Sequence, residues 1–389
     1  MLNPLADFLR EEAAGGLVLL GATVVALVWA NTPARDAYED LWHTDLTLGA
    51  GSLAIREDLR HWVNDALMAL FFFVVGLEIK RELVAGELRD RRAAALPAMA
   101  AIGGVLLPAG VFVAIVGGGE AASGWAIPMA TDIAFAVGVL ALLGDRVSDG
   151  VKLLLLAIAV VDDIIAITVI AIFYAEAISP GWLAVAASML ALVVLQRRLG
   201  VTRVIAYVPA GVMLWVATHE SGVHATVAGV ALGLLTPTGE VGGRQVLEDL
   251  EHRLHHVTSF VAVPLFALAN AGVYLGGGKL GDAAGARVAW AIAVGLVLGK
   301  LAGIAGATFL GLRVGVGTLP EGVARTQVWG VAALGGVGFT VSLFIAGLAY
   351  DSVELQEQAK VGIFAGTLVS GLLGAGALWL HARRRRRAG

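Results

Sequence analysis

No cysteine occurs among the 389 residues, so disulfides, thiolate metal sites and thiol catalysis are excluded, and any bound metal must take oxygen or nitrogen. Charge is almost as scarce. Asp, Glu, Lys and Arg make up 15% of the chain against about 25% in a soluble protein, while 58% is apolar and the mean hydropathy is +0.83. No polar stretch is long enough to fold alone, which predicts one integral membrane domain over 1–389. The net charge of −4 points to no particular partner.

Apolar stretches of spanning length lie near 13–31, 60–79, 95–116, 122–143, 151–174 and 181–196, then near 204–218, 223–236, 257–275, 286–310, 327–349 and 359–381. The expected fold is therefore all-α, with about 12 transmembrane helices. The seventh and eighth stretches are short and separated only by His219, Glu220, Ser221 and Gly222. Alternating loops collect twenty Lys and Arg on one side and six on the other. That bias predicts a multi-pass protein with both termini in the cytoplasm.

The first apolar run has no small-residue cleavage site, so it reads as a retained helix. Residues 1–12 place Leu2, Leu5, Phe8 and Leu9 at helical spacing, an amphipathic segment suited to the inner surface. In the outer loop 31–60, Leu46, Leu48, Leu53 and Ile55 alternate around a glycine-rich centre, which predicts a β-hairpin over 45–56. Its unpaired edges offer a route to a homodimer. The tail 382–389 contains five consecutive arginines, read as a cytoplasmic anchor against anionic lipid rather than a nucleic-acid site.

Four charges stand inside spanning stretches: Asp132, the adjacent Asp162 and Asp163, and Lys300. Each costs roughly 2.5 to 3.5 kcal/mol at mid-membrane, so it must pair, line a wet cavity or act. Successive helical residues diverge by about 100°, so Asp162 and Asp163 cannot share one orientation. One can face a cavity while the other meets Lys300, the only cation at that depth. Ionisable groups taken out of water exchange protons nearer neutrality than exposed ones. The carboxylates, with Thr131 and freed main-chain carbonyls, also supply hard oxygens for a small alkali cation such as Na+. Competition between protons and a cation for the same oxygens couples their gradients. A salt bridge alone would leave two carboxylates unexplained.

Two spans are interrupted by breaking residues. Pro128, Thr131 and Asp132 interrupt the fourth, while Gly335, Gly336 and Gly338 precede Thr340 in the eleventh. Glycines at 335 and 336 also suit close helix packing, which leaves Thr131-Asp132 unaccounted for. Paired breaks in opposed segments predict discontinuous crossing helices, inverted repeats and a site at the midplane.

The strings Gly76-Leu77-Glu78-Ile79-Lys80-Arg81-Glu82-Leu83, Ala130 to Phe135, Val161-Asp162-Asp163, Ser221 to Thr226, Pro264 to Val273, Lys300 and Gly336 to Thr340 resemble the NhaA family of bacterial sodium/proton antiporters. Inverted repeats are a known arrangement in that family. The resemblance implies a cofactor-free, electrogenic, pH-regulated exchanger in the inner membrane, exporting Na+ or Li+ for a larger number of H+. It also implies that Asp163 is the principal cation and proton carboxylate, Asp162 its partner and the mate of Lys300, and Asp132 with Thr131 the polar centre of the crossing. Glu78, Arg81, Glu82, Glu251, His252 and His255 match the group that sets the pH response. Two positions depart from many relatives, which carry proline where Leu301 and His256 stand here.

Two rival functions are distinguishable. A sodium-coupled solute symporter of related architecture needs a larger cavity lined by solute-recognising groups, whereas the interior charges here are mainly carboxylates. An intramembrane aspartyl protease needs Tyr-Asp and Gly-x-Gly-Asp strings, and neither flanks Asp132, Asp162 or Asp163. The chain thus reads as a transporter and not an enzyme.

Overall fold

The computed structural model describes residues 4–49, 54–175, 177–241, 243–276 and 279–388. Helix α1 (Pro4–Ala30) leads to α2 (Arg35–Trp42) and the strands β1 (Asp45–Leu48) and β2 (Ile55–Asp58). The strands pair antiparallel from Asp45 with Asp58 to Leu48 with Ile55, so the ladder extends two residues beyond the predicted boundary at 56. The hairpin tip at 50–53, including Leu53, lies outside the described residues. A short α3 (Leu59–Trp62) passes through a π turn, Val63–Leu67, into α4 (Met68–Val84). Next come α5 (Arg91–Val116), α6 (Ile133–Leu143), α7 (Asp149–Phe173), α8 (Pro180–Arg198), α9 (Val208–Glu220) and α10 (Thr226–Leu235).

A small antiparallel pair, β3 (Glu240–Val241) and β4 (Arg244–Gln245), precedes α11 (Val246–Val257). A second π turn, Thr258–Ala262, carries α11 into α12 (Val263–Asn270). After α13 (Lys279–Gly285), a third π turn, Gly295–Gly299, joins α14 (Arg287–Val294) to α15 (Lys300–Val314). The chain ends with α16 (Arg325–Leu334), α17 (Phe339–Ala349) and α18 (Val353–Ala388).

Among the described residues, eight helices are long and apolar enough to cross a membrane. The pair α16 and α17, bent by 45° at its break, makes a ninth, and two shorter apolar helices occupy Val204–Glu220 and Thr226–Leu235. Large apolar side chains that a soluble protein would bury stand exposed, among them Leu17, Leu106, Leu142, Ile172, Phe173, Leu368 and Leu372. Hydrocarbon is the medium that suits them. The chain is an all-α polytopic membrane protein. From Pro4 it already runs in the helix that contains the first span, with no break near residue 12; residues 1–3 lie outside the described residues.

The chain divides into two compact units. The first takes α1 up to Leu27, Glu87–Ala166 and the chain from Ala271 onward; the second takes Val28–Gly86 and Ile167–Asn270. Bare glycine backbone brings helices together in each. In the first, a Cβ built on Gly103 would stand 2.4 Å from the Gly303 carbonyl, and one on Gly303 would stand 2.2 Å from that of Gly103, so α5 and α15 touch main chain to main chain. In the second, a Cβ on Gly229 would meet the Ala69 carbonyl at 2.1 Å, which sets α10 directly on α4. Lipid gives no hydrophobic drive for helix association, so such close packing is a main source of cohesion. The core of the first unit gathers Ala100, Leu140, Leu154, Ile158, Leu334 and Leu378; that of the second holds Ala186, Leu214, Ala217 and Ala228.

Candidate ion site at two broken helices

Both interruptions predicted from sequence fall in the first unit and are joined by hydrogen bonds. The fourth span begins as an unusually long 3-10 helix, Glu120–Met129, containing Pro128, and the backbone is extended at Ala130 and Asp132 before α6 starts. The eleventh breaks between α16 and α17 across Gly335, Gly336 and Gly338. A Cβ on Gly336 would lie 2.2 Å from the Leu296 carbonyl, and one on Gly338 would lie 2.9 Å from that of Ala130, so only glycine admits this approach. The Asp132 amide donates to the Val337 carbonyl at 2.6 Å, and the Thr131 hydroxyl donates to that of Gly335 at 2.8 Å. The orphan polar groups of one break therefore satisfy those of the other.

Asp132 caps two helices at once. Its Oδ1 accepts from the Phe135 amide at 2.9 Å, the N-cap bond of α6, while Oδ2 accepts from the Thr340 amide at 3.0 Å and its hydroxyl at 2.6 Å in the first turn of α17. One buried carboxylate thus faces the positive ends of two helix dipoles. Thr340 is the functional residue that sequence reading passed over. Its signal was a hydroxyl two positions past Gly338, at the start of a helix whose donors need a partner. Ser342 adds a further tie from α17, donating to the Ile127 carbonyl at 2.8 Å.

Lys300 opens α15, and none of its side chain is exposed. Its Nζ donates to Asp162 Oδ2 at 2.8 Å and to the Thr131 hydroxyl at 3.0 Å. Gly104 on α5 packs against α15, where a Cβ would sit 2.6 Å from Ile304 Cγ1, one turn beyond Lys300. Asp162 is the pairing partner. Its second oxygen, Oδ1, is buried and has no hydrogen-bond partner. Asp163, the next residue on α7, is also buried, with 7% of its surface exposed. Among the described residues no three His, Asp or Glu side chains form a metal cage, so the oxygens gathered here are two adjacent carboxylates and a hydroxyl.

The charged group expected to set the pH response lies in the second unit. Arg81 on α4 is bonded to Glu251 on α11 and reaches Glu82 at 3.4 Å, while His255 Nδ1 stands 3.6 Å from Glu78 Oε1. His252 is exposed, 6.4 Å ring to ring from His256, and shares none of these contacts. Burial pushes the Glu251 carboxyl from its ordinary 4.5 up to about 7; Arg81 opposes the shift, Glu78 adds to it, and His255 opposes it.

An all-α membrane protein with a buried carboxylate pair and a buried ammonium between two broken helices has the construction of an ion carrier. The family model described as Na+/H+ antiporter 1 matches residues 6–378. A relative from Erythrobacter litoralis named Na(+)/H(+) antiporter NhaA 2 is 46% identical over 380 residues, 97% of this chain and 94% of that protein. Na(+)/H(+) antiporter NhaA of Serratia proteamaculans is 44% identical over 387 residues, 99% of this chain and all of the relative. Na(+)/H(+) antiporter NhaA of Bordetella parapertussis is 45% identical over 377 residues, 95% and 94% of the two chains. The chain belongs to the NhaA family of Na+/H+ antiporters.

Removing one partner of a buried ion pair strands the other, at a cost of roughly 3 to 5 kcal/mol. Lys300→Ala should therefore melt well below the parent in detergent, and adding Asp162→Asn should recover part of the loss. Additive losses in that double-mutant cycle would contradict the pairing. For Glu251, a raised folded-state pKa means the folded form holds the proton more tightly. Its stabilising contribution is present below about 4.5 and lost as pH rises through about 7. Melting temperature should fall across that window and fall less in Glu251→Gln; parallel curves would show that Glu251 does not titrate there.

Proposed function

We propose that the chain exports Na+, or Li+, in exchange for H+, and that the exchange is electrogenic, with more protons than cations per cycle. The observation that carries this reading is Asp162: one oxygen is held by Lys300 and the other is buried without a donor, next to the Asp163 carboxylate. A proton or an alkali cation satisfies that oxygen equally well in kind, and the two exclude each other.

In this reading Asp163 is the principal carboxylate and Asp162 its partner. Thr131 offers the hydroxyl lone pair that remains after it accepts from Lys300 and donates to Gly335. Asp132, already accepting three hydrogen bonds, serves the polar centre by holding the two helix starts in place. When a cation occupies the oxygens the protons leave, so only loaded states alternate between the two faces.

The architecture that goes with this function has twelve spans, built as inverted repeats whose fourth and eleventh members cross at their breaks. The bonds from Thr131 and Asp132 to Gly335, Val337 and Thr340 support it. The loop-charge bias supports cytoplasmic termini, and membership of the family supports the bacterial inner membrane. Glu78, Arg81, Glu82, Glu251 and His255 are assigned to pH regulation, supported by the contacts between α4 and α11, and His252 is assigned with them on the family resemblance alone. A homodimer, seated in membrane lipid, is assigned to the hairpin, whose β1 residues are all exposed.

In everted vesicles the protein should release protons when Na+ or Li+ is added, and Asp163→Asn should abolish the response at normal expression. Retained exchange by that variant would remove Asp163 from the site. Deleting residues 46–55 should convert the band on native electrophoresis to monomer; an unaltered dimer band would place the contact elsewhere.

A further inference from the structure

At one end of the second unit, three aromatic rings are stacked in series and finish on an ion pair. Trp62 Nε1 donates to the Leu46 carbonyl of β1 at 2.9 Å, and its ring lies on that of Trp215 with centroids 6.0 Å apart and planes at 23°. Trp215 in turn lies on His219, at 5.8 Å and 12°. His219 Nδ1 meets Asp65 Oδ2 at 3.3 Å, and Trp215 Nε1 donates to the Asp65 carbonyl at 3.2 Å. Asp65 itself sits within the π turn Val63–Leu67, a local distortion that is frequent at functional sites. Beside it, Asn64 accepts from the Asn270 side chain at 2.7 Å, which holds the turn against the end of α12.

Two physical features separate this pair from an ordinary packed histidine. The side chains of His219 and Asp65 are each 24% exposed, so water reaches them although most of their surface is covered. The charges acting on the ring are acidic, while the cations of the adjoining β2 and α3 are each engaged by a carboxylate, Arg56 by Asp45, Arg60 by Glu39 and His61 by Asp58. Glu57 from β2 and Glu220 from the same helix act on the ring besides Asp65. The bond from the Ser179 amide to the Ser221 carbonyl sets the start of α8 beside the end of α9. Neighbouring α10 carries no charged residue, and α8 carries only Arg197 and Arg198, at its opposite end. Negative potential over a partly desolvated patch concentrates cations, hydrons included.

We propose that His219, held by Asp65, is the outer-face proton-binding site of the exchanger, the position at which hydrons from outside first associate with the protein. This rests on the antiport reading and on its orientation, which puts the end of α9 on the outer side. The imidazole takes a proton from water on Nε2 while Asp65 holds the Nδ1 hydrogen. The same proton leaves Nε2 when the ring returns to neutral. Protonation also sets a cation on the face of Trp215, a favourable stack that disappears on deprotonation.

Trp215 supplies the readout, since a protonated imidazole against an indole quenches its emission. With full-length protein in detergent, subtracting the fluorescence of Trp215→Phe isolates the signal. It should fall as pH is lowered, along a one-proton curve that is absent from His219→Gln. In proteoliposomes, with pH varied only on the face bearing His219, His219→Gln should need about ten-fold more protons for half-maximal exchange, a shift of one pH unit. Its apparent affinity for Na+ on the other face should not change.

Two results would overturn the assignment: a Trp215 titration that survives in His219→Gln, or an unshifted proton dependence in that variant. Should His219→Gln fail to fold, His219→Asn takes the same measurements. Asp65→Asn, in which the ring loses its carboxylate, should shift both readouts in the same direction. Absence of any cation-dependent proton movement by the parent protein would instead defeat the antiport reading, and the fluorescence titration would still decide whether His219 binds the proton.

Discussion

An ammonium and a carboxylate wholly removed from water, Lys300 and Asp162, sit where two helices are broken, and the rest of the first unit is arranged around them. Burying these charges is tolerable only because each has a close partner and because the unwound backbone beside them is itself satisfied. The Thr131 hydroxyl joins the two requirements, accepting from Lys300 and donating to Gly335. Asp132 completes the arrangement by capping both helix starts. Breaks that would be intolerable singly become stable as a mutually bonded pair.

The same arrangement explains how a protein with so little polar surface can handle ions. Asp162 commits one oxygen to Lys300 and keeps the other buried with no hydrogen-bond partner, so the proposed exchange would place structure and ligand on different atoms of one carboxylate. Glycine permits this geometry. A side chain at Gly338 would press on the Ala130 carbonyl of the other break, and one at Gly336 would collide with the Leu296 carbonyl in the π turn before α15. Cohesion elsewhere comes from close backbone contact, α5 with α15 and α4 with α10, as expected where lipid competes for every apolar side chain.

Two further clusters of titratable groups lie in the second unit. Glu251, His255 and Glu78 gather around Arg81 between α4 and α11, and His219 joins Asp65 between α9 and the π turn. Each histidine meets a carboxylate supplied by a distant stretch of chain. Proton occupancy at either place therefore alters contacts between helices as well as local charge.

Read alone, the amino-acid sequence established the membrane class, the candidate spans, the four intramembrane charges, both sets of breaking residues and the family resemblance. These are properties of composition, period and order along the chain. Tertiary structure decided what order cannot: that Lys300 bonds Asp162, a pairing the residues left open and only the resemblance implied, that Asp132 serves two helices, that Thr340 is its partner, and that His252 stands outside the charged group. Adjacent aspartates differ by only 100° on one helix, and which of them meets the lysine depends on packing against a residue 138 positions away. The ladder from Trp62 to His219 was equally hidden, because Trp62 comes from α3 while Trp215 and His219 lie one turn apart on α9, and Trp62 joins them only once the two helices pack.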